Sequence, residues 1–70
     1  SPIKEVTLNI KSENQLEAIS TFLQKKGDTI VNINFCSKND SYYFKLKNNR
    51  NIDRKSINLI RSKEINAIIS

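Results

Sequence analysis

Hydrophobic spacing predicts an α+β domain: four strands in one antiparallel sheet, with two helices on one face of it. Three observations carry that expectation. Apolar and polar residues alternate at Val6, Leu8, Ile10, at Val31, Ile33, Phe35, and at Tyr42, Phe44, Leu46. Apolar residues recur at three- and four-residue steps at Leu16, Ile19, Leu23 and again at Ile57 and Ile60. A last apolar run spans Ile65 to Ile69. A period of two marks a half-buried strand, and a period near 3.6 marks a helix with one buried face. The chain therefore reads strand, helix, strand, strand, helix, strand, a complete split βαβ unit that uses nearly all 70 residues.

The first strand is expected over residues 3–11, with Val6, Leu8 and Ile10 toward the core and Glu5, Thr7 and Asn9 on the other face. Ser12 followed by Gln15 has the spacing of a helix capping box. The first helix is expected to reach Lys26, burying Leu16, Ile19, Phe22 and Leu23, with Lys25 and Lys26 suiting the negative end of its dipole. Gly27, the only glycine, falls where a left-handed C-terminal cap is wanted. The second strand covers residues 29–37, the polar turn Lys38-Asn39-Asp40-Ser41 makes a hairpin, and the third strand covers residues 42–47. Asp53 is the expected second N-cap, with Ile52 and Ile57 spaced as a hydrophobic staple. A short helix over residues 54–62 and a strand over residues 64–69 close the chain. Right-handed crossovers favour the strand order 4-1-3-2, a ferredoxin-like two-layer sandwich.

Composition bounds the rest. Seventy residues make one domain, 1–70, and a chain this short buries only about 60% of its unfolded surface. One Cys excludes an internal disulfide. The net charge of +5 suggests attraction to anionic surfaces. Yet the cations are spread from Lys4 to Lys63 without a run longer than two, the pattern of ordinary solvated charge. No stretch approaches the ~20 apolar residues of a membrane span, and no signal peptide is present. The chain starts Ser1-Pro2 and has no Met, so we expect a domain excised from a longer protein.

Leu16-Glu17-Ala18-Ile19, Gly27, Ile30 and Asn32-Ile33 stand where ACT-like regulatory domains carry Leu-x-x-Ile, a Gly and an Ile-rich second strand. The closing units Ile57-Asn58-Leu59-Ile60 and Ile65-Asn66-Ala67-Ile68 look like the C-terminal cytoplasmic domain of the MgtC/SapB family of bacterial membrane proteins. The resemblance spans nearly the whole chain and rests on apolar spacing, one Gly and element order. It implies a non-catalytic regulatory or interaction module on the cytoplasmic side of the bacterial cell membrane. A membrane domain would precede it in the same chain, in a family linked to magnesium limitation. Amino-acid-binding ACT domains carry Asp-x-Pro-Gly-x-Leu at the first strand–helix junction. Here Lys11-Ser12-Glu13-Asn14-Gln15-Leu16 lacks both Pro and Gly, which weighs against amino-acid sensing.

Candidate sites are few. With no His and no Cys-x-x-Cys, neither a metal nor another cofactor is expected. Cys36 reads as a small packing residue. Asp28, Asp40 and Asp53 read as turn or cap residues. No base, nucleophile elbow or Gly-rich phosphate loop can be named, so no enzyme is expected. If a small ligand binds, the residues nearest it are Ser12, Glu13 and Asn14 at the first strand–helix junction. The open sheet face is expected to present Thr7, Asn9, Asn32, Asn34, Tyr43, Lys45 and Lys47. One tyrosine there is a poor stacking platform, so nucleic acid is a disfavoured partner: a single-stranded RNA-binding module is kept only as the lesser alternative, behind a small-ligand sensor. Self-association or a partner protein remains, through the edges expected at the second and fourth strands.

Overall fold

The computed structural model describes residues 2–70, so Ser1, half of the Ser1-Pro2 start, lies outside the described residues. The elements follow the expected order: β1 (Glu5–Ile10), α1 (Glu13–Ser20), β2 (Lys26–Cys36), β3 (Ser41–Lys45), α2 (Arg54–Ser62) and β4 (Asn66–Ile69). The fold is a small α+β domain with two helices and a four-stranded sheet. Its core joins Val6, Leu8 and Ile10 of β1 to Val31 and Ile33 of β2, Ile19 of α1, Ile57 and Ile60 of α2, and Ile3, Ile52, Ile65 and Ala67.

The strand order corrects the 4-1-3-2 expectation. It is β3-β2-β1-β4, and the sheet is mixed. β1 runs parallel to β2, from Glu5 opposite Ile30 to Ile10 opposite Phe35, while β1–β4 and β2–β3 are antiparallel. The physical reason lies in burial. A central strand must bury a face along its length; the 11-residue β2 has Val31, Ile33 and Phe35 for this, whereas the five-residue β3 turns only Tyr42 and Phe44 to the core side. The helix between β1 and β2 is the crossover that parallel neighbours require. The polar turn then needs only a hairpin to bring β3 onto the outer side of β2. Ser37 N–H to Asp40 O, 2.8 Å, closes that turn.

The first helix is shorter than its apolar spacing predicts. It starts at its cap: Gln15 N–H donates to Ser12 Oγ (3.1 Å), and Gln15 Oε1 reaches back to Lys11 N–H (2.7 Å). It stops at Ser20 because hydroxyls take over the acceptors of the last turn. Ser20 Oγ donates to Glu17 O (2.6 Å) and Thr21 Oγ to Ala18 O (3.0 Å). Phe22 and Leu23 follow in tighter turns, bonded three residues back to Ile19 and Ser20. They still pack against the core, but Leu16 does not: it is exposed. Lys25 and Lys26 thus lie beyond the helix.

Gly27 is not a left-handed cap, since its φ is not positive. It opens β2 where the segment before α2 crosses it. Asn51 N–H donates to Lys25 O (2.9 Å) and Gly27 N–H to Asn49 O (3.2 Å). The left-handed residue is Glu64, φ 62°, just past α2. The second helix agrees with its sequence signals. Ser56 N–H donates to the Asp53 carboxylate (2.8 Å), and Ile52 and Ile57 are both buried.

Candidate functional site

The first strand–helix junction is shaped by helix capping. The Ser12 hydroxyl is occupied in capping α1, and Glu13 and Asn14 point into solvent. Two shallow hollows, about 260 and 350 Å³, lie elsewhere and share Asn51 and Asp53. One is bounded by Phe22, Lys25 and Ser56, the other by Ile3, Gly27 and Thr29. Both are at the small end for ligand clefts. Their shared carboxylate, Asp53, already accepts from Ser56, and those hydrogen bonds to the charged form hold its pKa below the ordinary carboxylate value.

Pairing register shows what the sheet presents on the side away from its core. Asn66, Asn9, Asn34 and Tyr43 form one row across the four strands; Ile68, Thr7, Asn32 and Lys45 form the next. Asn9, Asn34, Tyr43 and Lys45 therefore share a face, as their spacing predicts. Their polarity is turned inward, however. Asn34 Nδ2 donates to Asn9 Oδ1 (3.1 Å), and Asn9 Nδ2 to Asn66 Oδ1 (2.6 Å). In the next row Asn32 Nδ2 donates to Glu5 Oε2 (2.7 Å). Asn32 is only 2% exposed on this nominally open face, and its Oδ1 has no partner. The Asn66, Asn9 and Asn34 amides bond one another, and a single aromatic ring, Tyr43, stands on that side.

The core side runs out toward β3. Along the row Ala67–Leu8–Ile33–Phe44 the first three side chains are buried and Phe44 is 43% exposed. In the neighbouring row Ile10 is buried and Tyr42 is 59% exposed. Tyr43, on the opposite face, is 65% exposed. Alternation places Tyr42 and Phe44 toward the core; the structure leaves them uncovered. Five exposed residues, three of them aromatic, thus form one edge of the sheet.

Backbone polarity sharpens the contrast between the two edges. Opposite residues in an antiparallel pair alternate between bonded and non-bonded. Leu46 N–H donates to Val31 O (2.9 Å), so the bonded pairs of the hairpin are Val31–Leu46, Ile33–Phe44 and Phe35–Tyr42. The N–H and C=O groups of Ser41, Tyr43 and Lys45 therefore point away from β2, off the edge of the sheet. The other edge is β4. Ser70 N–H donates to Glu5 O (3.0 Å), so by the same alternation Ala67 and Ile69 point outward there. Arg61, in the last turn of α2, reaches that edge: its Nε and Nη2 both donate to Ala67 O, at 3.1 and 2.7 Å. Of the two edges expected, β4 is one, and the expectation for β2 is corrected, because β3 takes the other edge. β2 is central, β4 has one outward carbonyl, Ala67 O, taken by Arg61, and among the described residues β3 has none of its outward groups taken. Arg61 carries no sequence signal for this role, because only the return of β4 beside β1 brings it to Ala67.

Cys36 is exposed at the hairpin end opposite Ser41, so its reading as a packing residue is also corrected. Among the described residues, no three His, Cys, Asp or Glu side chains group as metal ligands. Among the described residues, no helix is long and apolar enough to cross a membrane. No family model, no curated protein and no solved structure matches the chain.

Proposed function

We propose that this chain is a non-catalytic interaction module that engages its partner by strand addition at β3. One observation carries the reading: β3 turns the backbone groups of three residues outward and exposes Tyr42, Tyr43 and Phe44, while on the opposite edge Arg61 lies across Ala67 O. Strand addition takes its affinity from main-chain hydrogen bonds and its specificity from alternate side chains, and β3 supplies both. The non-catalytic part of the reading rests on the hollows, whose one shared carboxylate is engaged in capping α2.

The MgtC/SapB resemblance would make the module the regulatory end of a bacterial membrane protein active when magnesium is scarce. What supports it is the Leu16-x-x-Ile19 spacing with Gly27 and the apolar closing units. The β3-β2-β1-β4 order weighs against it, because the ACT-like order places the third strand beside the first. A coding region with no hydrophobic spans upstream would dispose of that finer reading and leave strand addition standing.

Strand addition is tested with a synthetic peptide of residues 40–47, titrated into the intact labelled chain. The amides of Ser41, Tyr43 and Lys45 should shift and gain protection from exchange, and those of Tyr42 and Phe44, already bonded to β2, should change least. A peptide that leaves β3 unperturbed while shifting resonances elsewhere refutes the reading.

A further inference from the structure

Resting on that reading, we infer that the occupant of β3 is a second copy of this chain, bound antiparallel about a two-fold axis through Tyr43. The outward groups of β3 belong to Ser41, Tyr43 and Lys45, so an antiparallel partner strand must place residues of that same set opposite them. One self-pairing register uses all five residues of the strand. It sets Tyr43 against Tyr43 of the second copy and Ser41 against its Lys45. The Tyr43 pair exchanges two main-chain hydrogen bonds, and each Ser41–Lys45 pair exchanges two more.

Side chains match in that register on both faces. Tyr42 stands opposite Phe44 of the second copy in a non-bonded pair, the closer kind, and the reciprocal pair lies beside it. These four rings are the ones the core leaves uncovered, so pairing extends the apolar layer across the junction. On the other face each Lys45 meets a serine, not another lysine. Asp40 of the hairpin turn falls opposite Leu46 of the second copy, so no like charges meet at the ends of the pairing either. A register shifted by four residues would set Lys45 against Lys45, with like charges directly opposed, which is destabilising. No Pro, bulge or inward charge interrupts β3 to prevent pairing. At β4 the Arg61 guanidinium on Ala67 O lies where a further strand would bond, so pairing should stop at two copies, one eight-stranded sheet.

The contact is small. Five residues a side lie below the roughly 1,200 Å² of a standard interface, so the dimer should be transient, with a dissociation constant on the order of 0.1–1 mM. Sedimentation and amide exchange over about 0.05–2 mM chain bracket that range. Mass should rise toward twice the monomer, and exchange at Ser41, Tyr43 and Lys45 should slow with concentration. Tyr43→Lys should weaken association by at least about tenfold by opposing two ammonium groups on the axis. Tyr43→Pro should abolish it: the lost N–H points away from β2, so the hairpin ladder keeps all its donors. Unchanged Tyr42 and Phe44 amide protection in both variants confirms that the fold is intact.

A chain that stays monomeric at the highest concentration overturns the inference. If the 40–47 peptide still binds β3 in that case, the strand-addition reading survives and the occupant is foreign. If the peptide also fails, both fall. A dimer whose protection maps away from β3, or that is indifferent to Tyr43→Lys, overturns it as well.

Discussion

At Gly27 a β-carbon would stand 2.6 Å from Asn51 Cα and 2.7 Å from its N, nearer than any real contact allows. The neighbour is backbone, held by Asn51 N–H to Lys25 O, and it cannot swing aside as a side chain would. Gly27→Ala must therefore push β2 and the segment before α2 apart. The expected loss is about 1–3 kcal/mol in a urea titration, with amide shifts centred on residues 49–52. A variant as stable as the parent would show that this crossing is not tight. Glu64 presents the opposite case. Its φ of 62° is a conformation that L side chains reach at a cost of about 1–2 kcal/mol and glycine reaches freely. Glu64→Gly should raise stability by about 0.5–1 kcal/mol after glycine's extra unfolded-state entropy is counted. A fall in thermal midpoint would contradict this. Both positions turn on backbone geometry: a glycine needed for closeness, and a glutamate where glycine would suit the backbone better.

Among the elements, α2 is the one whose ends and face agree with its sequence at every point. Asp53, Ile52 and Ile57 do what their spacing predicts, and Ile57 and Ile60 reach the core. The Asp53 cap also sets a pH dependence. Its pKa is depressed in the folded chain by hydrogen bonds from Ser56, so its contribution is fully present above the unfolded carboxylate value of about 3.9. That contribution is lost as pH falls through the lower folded value. Asn keeps an accepting oxygen but carries no charge. Thermal midpoints of the parent and Asp53→Asn should therefore converge as pH drops from neutrality toward 2, the parent being the more stable at neutral pH. Parallel curves would remove the ionised cap. α1 is the less legible element, because Ser20 and Thr21 end it with hydroxyl bonds that apolar spacing does not register. β4 depends on Arg61 in the same unannounced way. Arg61→Ala should cost about 1–2 kcal/mol, read by chemical denaturation, because the guanidinium donates twice to Ala67 O. Indifference to the change would mean that water serves that carbonyl equally well.

For the whole molecule, charge and edge geometry pull in opposite directions. Two copies at +5 each repel, while the proposed junction consists of aromatic rings and main-chain bonds, which salt screens little. Added salt should therefore tighten self-association. A dimer that dissociates as salt is raised from about 0.05 to 0.5 M would mean that ion pairs hold it. Arg61→Ala adds a second readout at this scale. With the β4 edge uncovered, both ends of the sheet can pair, and species larger than dimers should appear in sedimentation at concentrations where the parent stops at two copies.

The existence and order of the six elements, the faces of β1 and α2, both N-caps and the hairpin turn follow from the sequence by itself. Each depends on residues within a few positions of one another, where period, capping and turn chemistry act. Strand neighbours are a different matter. Alternation says that Tyr42 and Phe44 share a face, but not whether another strand and a helix will lie over them. Only the tertiary structure decided that β2 sits beside β1, that the Asn66, Asn9 and Asn34 amides close on one another, and that Arg61 reaches Ala67 O. These are contacts between residues far apart in the chain, settled by which strand buries the most apolar surface. The candidate site is of this kind: the aromatic residues of β3 are plain in the sequence, and their exposure comes from the strand order.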